Sequence, residues 1–174
     1  MTSATTLNNE APLRAPRLLG RYLLLIIIAA IESFDGLSNA SMLFGDTSQI
    51  PGSGVGGAII KAYIASHPVL ALAALGFATI GRLRYAIIAL GALVLMTWLN
   101  FMPSVVRHGL DFNGIYAFET PVRIIAFPLM GACAVALAAR NQRLGLAAML
   151  VSIPTLYSVA AVIAFGIGIF LYGF

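Results

Sequence analysis

Apolar residues in this chain come in long unbroken runs separated by short polar breaks, from "YLLLIIIAAI" near the start to "AAVIAFGIGIFLYGF" at the end. Five such runs stand at roughly 22–44, 58–81, 85–102, 115–139 and 144–172. About 20 residues of α-helix cross the ~30 Å hydrocarbon layer of a bilayer. Four runs reach that length, and the third, short at its ends, is strongly apolar through "AIIALGALVLM". None alternates apolar and polar residues at every second position, as the strands of a membrane barrel do. A backbone in lipid must satisfy its own hydrogen bonds, so runs of this kind are helical. The expected fold is all-α, a polytopic membrane helix bundle with five transmembrane helices forming one domain over 18–174, after a polar, Pro-broken tail at 1–17 that reads as disordered.

Charge sets the expected orientation. Arg14, Arg17 and Arg21 precede or open the first span, "GRLRY" carries Arg82 and Arg84, and "ARNQR" carries Arg140 and Arg143. With five spans, all of these fall on one side, which the positive-inside rule makes cytoplasmic. The N-terminus is then cytoplasmic and the C-terminus outside, in a multi-pass protein of the cell inner membrane. A rival reading takes residues 1–40, with Arg14, Arg17 and Arg21 ahead of the apolar run, as a signal peptide cleaved after Ser38-Asn39-Ala40. Two acidic residues and nine positions between Ile31 and that site argue against it.

Composition agrees with the run pattern: 60% of residues are hydrophobic and 9% charged, against about 25% charged in soluble domains. The net charge of +4 comes from basic residues in ones and twos with no clustered face, which excludes the phosphate-contacting patch a nucleic acid needs. Cys133 is the only cysteine, so no intramolecular disulfide, CxxC pair or cysteine metal site can form.

The polar residues inside the spans carry the candidate chemistry. Counted from the cytoplasmic ends of the runs, Glu32 lies about 14 Å deep, Asp35 about 18 Å, His67 about 20 Å, Asn100 about 22 Å, Arg123 about 24 Å and Lys61 about 28 Å. Glu119 stands near the outer boundary. All fall in the outward half of the membrane. Glu32, Asp35 and Asn39 share one stripe of the first helix, and Glu119–Arg123 and Tyr63–His67 are i, i+4 pairs. A charge at the bilayer centre costs at least ~2.5–3.5 kcal/mol. The acidic stripe is therefore expected to turn into the bundle, toward Arg123, Lys61 or water.

Other motifs carry little. "GSGVGG" at 52–57 matches G-x-G-x-x-G but follows a membrane span rather than a strand, so it reads as a flexible loop or lid and not a dinucleotide site. His67 and His108 differ in depth, which disfavours a bis-His haem. No G-x-S-x-G turn or Ser–His pair supports a hydrolase. No cofactor and no metal is expected, and the reading leans away from an enzyme. The leading expectation is a binding or transport-type protein with a polar, outward-facing cavity for an ion, proton or small solute. Glu32 and Asp35 form its acidic centre, Arg123 and Lys61 the counter-charges, His67 and Asn100 its hydrogen-bonding wall, with Asn39 and Glu119 flanking. The rival is an accessory or assembly subunit of a larger membrane complex whose charges are structural salt bridges. The expected partners are the lipid bilayer and either a second copy of the chain or that complex.

Overall fold

Each apolar run becomes one helix. The computed structural model describes residues 15–43, 54–114 and 116–173. Among them stand α1 (Ala15–Ala40), which ends in a 3-10 turn at Ser41–Leu43, α2 (Gly54–Thr79), α3 (Leu83–His108), α4 (Tyr116–Ala139) and α5 (Leu144–Tyr172). All five are long and apolar enough to span a membrane, which is compatible with a multi-pass membrane protein. Of the expected tail, only Ala15–Arg17 is described, and it is already helical. Of "GSGVGG" at 52–57, expected as a flexible loop or lid, Gly54–Gly57 are instead the first turn of α2, and residues 44–53 lie outside the described residues. The third helix runs six residues past its expected end at 102, through Pro103 to His108. Pro103 removes one intrahelical bond without ending the helix.

Neighbouring helices form a closed ring: α2 lies between α1 and α3, α4 between α3 and α5, and α5 returns to α1. Helix α3 touches all four others. Both tight connections use the same device. At Gly81 (φ +78°) the Arg82 N–H donates to the Phe77 carbonyl at 2.8 Å. At Asn141 (φ +54°) the Gln142 N–H donates to the Leu137 carbonyl at 2.8 Å. Both are the 6→1 bond of a Schellman cap, with Gly or Asn in the left-handed position. Three contacts gather this end of the bundle. The Tyr22 hydroxyl donates to the Gly81 carbonyl at 3.2 Å, Arg84 donates to the Ala139 carbonyl at 2.9 Å, and the Arg21 guanidinium lies over Gly145. Arg21, Arg82, Arg84, Arg140 and Arg143 therefore share one end.

The half next to this end is filled by small side chains. Its core joins Leu25, Ile28 and Ala29 of α1 to Ala74 and Ala78 of α2, Ala86, Ile87 and Leu90 of α3, Ala134 and Ala138 of α4, and Ala147, Ala148 and Val151 of α5. Small residues let helix backbones approach closely. One close crossing is that of α3 on α4. A Cβ on Gly91 would sit 2.5 Å from Val135 Cγ2 and 3.2 Å from the Gly131 carbonyl, and one on Gly131 would sit 3.0 Å from Val94 Cγ1. Ala74 and Ala78, one turn apart on α2, are buried in this core. Gly166 and Gly168 have no neighbouring atom within 4 Å of the Cβ position.

Overpacking a filled core costs about 1–3 kcal/mol. Gly91→Ala is expected to destabilise the protein by that amount in thermal unfolding, and Val135→Ala in the same chain to recover at least half of it.

Candidate functional site

The opposite half of the bundle is not filled. A cavity of about 480 Å³ lies there, lined by residues from every helix, including Glu32 and Asp35 of α1, Tyr63 and His67 of α2, Thr97, Trp98 and Phe101 of α3, Arg123 and Phe127 of α4, and Thr155 of α5.

Glu32 holds its centre. One carboxylate oxygen, Oε2, lies 3.1 Å from His67 Nε2, and the other, Oε1, accepts a hydrogen bond from the Thr155 hydroxyl. With Glu32 ionised, the carboxylate can only accept, so His67 Nε2 carries the proton. His67 Nδ1 lies 2.9 Å from the Tyr63 hydroxyl; with His67 neutral, Tyr63 donates to it. A directed chain then runs from Tyr63 through His67 to Glu32, with Thr155 meeting it from α5. His67 is 2% exposed and the Glu32 side chain 14%. The close approach depends on Gly36, one turn beyond Glu32: a Cβ there would lie 2.9 Å from His67 Cδ2 and 3.0 Å from the Pro68 backbone. Asp35 stands at the rim, 4.0 Å from His67 Nε2, with 59% of its side chain exposed.

The far wall is shaped by an irregular stretch of α4. Residues Val122–Ala126 form a π-helical segment, and the Phe127 N–H donates to the Val122 carbonyl, five residues back. Pro128 has no N–H to offer the Ile124 carbonyl. The Trp98 indole N–H takes that carbonyl instead, at 3.0 Å. Arg123, within this segment, pairs with Glu119 one turn earlier and lies 5.6 Å from the Phe101 ring centroid. Its Nε and the Asn100 Oδ1 are buried without a hydrogen-bond partner.

The polar residues are therefore only partly gathered. Glu32, Asp35, His67 and Arg123 share one cavity. Asn100, Asn39, Lys61 and Glu119 are not on its wall. The Asn39 side-chain amide donates to the Asp35 carbonyl of its own helix at 3.0 Å. Lys61 is exposed, because six positions from His67 put it about 240° around the helix axis. The expected counter-charges of Glu32 are replaced: its partners are His67 and Thr155, and Arg123 is held by Glu119. Thr155 and Trp98 were not singled out from sequence. The signal for Thr155 was the Pro-hydroxyl stretch "SIPTLYS", which equally describes ordinary packing. Among the described residues no three of His, Cys, Asp and Glu gather closely enough to hold a metal ion.

No protein family, curated protein or solved structure matches the chain. What the site can do therefore rests on its own geometry.

A hydrogen bond to a charged group contributes about 1.5–3 kcal/mol. Thr155→Val is expected to lose stability of that order in thermal unfolding, whereas Thr155→Ser, which keeps the hydroxyl, is expected to lose less than half as much.

Proposed function

We propose that this chain is an integral membrane protein of binding or transport type, with the cavity around Glu32 as its site. The observation that carries this reading is the convergence of Glu32, Asp35, His67 and Arg123 from three of the five helices onto one open space. A network serving only to fix helix register would be filled and closed, as the alanine-lined half is. Cavities that hold small molecules span about 300–1,000 Å³ and are mostly apolar with a few placed polar groups, a description this one fits.

The proposed setting is the inner membrane. The arginine-rich end carrying Arg21, Arg82, Arg84, Arg140 and Arg143 faces the cytoplasm, and the cavity, in the other half, opens outward for an ion, proton or small solute. Movement of a solute across the bilayer by five helices calls for a second copy or a partner chain. A second reading, an accessory subunit of a larger complex, draws support from α5. Its end leaves Val162, Phe165, Ile167 and Phe170 between 53% and 87% exposed on all sides.

Two measurements test the proposal. A periplasmic reporter enzyme fused after residue 174 is expected to be active, and the same enzyme inserted at 140–143 inactive. Purification in native lipid discs, with mass spectrometry of what co-purifies, is expected to find a small solute that Glu32→Gln protein of comparable yield holds at least tenfold less. If Glu32→Gln and His67→Gln each lose folded protein and the double variant regains it with no change in bound solute, the network is structural only.

A further inference from the structure

The composition of the cavity wall narrows its ligand, given that the cavity is a binding site. Two carboxylates, Glu32 and Asp35, share the wall with five aromatic side chains: Phe34, Tyr63, Trp98, Phe101 and Phe127. The wall's arginine, Arg123, is matched by Glu119 in an ion pair. Taking that pair as neutral and both carboxylates as ionised, the wall carries two negative charges when His67 is neutral and one when it is protonated. In either state the cavity is electronegative, and an anion is disfavoured.

Aromatic faces add to this selection, because the ring quadrupole attracts a cation within about 6 Å of the centroid. One instance is already built in: the Arg123 guanidinium over Phe101. A bare metal ion is a poor match. It needs about six oxygen ligands in a tight shell, whereas a space of about 480 Å³ with a largely apolar wall suits a molecule with a body. Both Glu32 oxygens already accept hydrogen bonds from His67 and Thr155. The more available charge is Asp35, with its carboxylate 59% exposed at the rim.

We propose that the cavity takes a monovalent organic cation, an amine or quaternary ammonium bearing an aromatic or branched apolar group. Its charged head meets Asp35, with the Glu32 charge behind it, and its body lies toward Trp98 and Phe127. This inference rests on the binding reading above.

The test uses the full chain in lipid nanodiscs and the fluorescence of Trp98, the chain's only tryptophan, backed by titration calorimetry. The probes are benzyltrimethylammonium, phenylacetate and benzyl alcohol, which share a phenyl body and differ in charge. The cation is expected to change the Trp98 emission saturably and to bind at least tenfold tighter than the other two. Asp35→Asn, at a rim position that leaves the Glu32 contacts in place, is expected to weaken cation binding at least tenfold while the thermal unfolding midpoint holds. Equal or tighter binding of phenylacetate or benzyl alcohol, or cation binding unchanged in Asp35→Asn, overturns the cation assignment and leaves the cavity reading standing. If none of the three binds, the cation assignment falls, and the cavity reading is judged by the Glu32-dependent co-purification alone.

Discussion

A carboxylate withdrawn among apolar helices has to be matched by partners, and Glu32 sets that requirement for the whole open half of the bundle. Its two oxygens are satisfied from two different helices, by His67 of α2 and Thr155 of α5. Leaving a buried acceptor unmet costs about 1–3 kcal/mol, and more for a charged group. The rotations of α1, α2 and α5 are therefore linked at this level. Gly36 is part of the same requirement, since any side chain there would push His67 and the Pro68 backbone away. Tyr63 completes the alignment by holding the second nitrogen of the imidazole.

The remaining two helices are positioned by packing rather than by charge. Helix α3 meets α4 at Gly91 and Gly131, where only the absence of a Cβ permits the crossing. In the cavity half Trp98 joins the same two helices by bonding to the Ile124 carbonyl that Pro128 leaves free. A proline that would ordinarily weaken α4 thus supplies an acceptor for its neighbour. The aromatic wall is held by the same contact.

The helices were legible because their signal is local: run length and apolarity decide them, and the tight turns carry Gly81 and Asn141 at the positions that need them. The end of α3 was misjudged because Pro103 and the polar residues after it read as a stop, although a proline's missing donor is tolerated where the helix is otherwise supported. The polar set was legible by depth but not by pairing. Depth counted along the sequence separated Glu32 from His67 by about 6 Å along the helix axes, yet the two touch at 3.1 Å. Tilt and rotation decide such contacts, and both come from packing against neighbours. Lys61 shows the same limit: its depth suggested the cavity, and its angular position excludes it. The π-helical segment of α4 left only Pro128 as a local trace.

The unequal filling of the two halves also bears on how this bundle can deform. Alanine-on-alanine contact at the arginine-rich end offers little slack, because a close-packed interior resists compression. Prolines 68, 128 and 154 interrupt three of the helices at or near the open half, and such interruptions are where helices bend. Bending confined to those points would splay or pinch the wide half about a fixed fulcrum, like the jaws of tweezers, and would change the aperture without unpicking the joint.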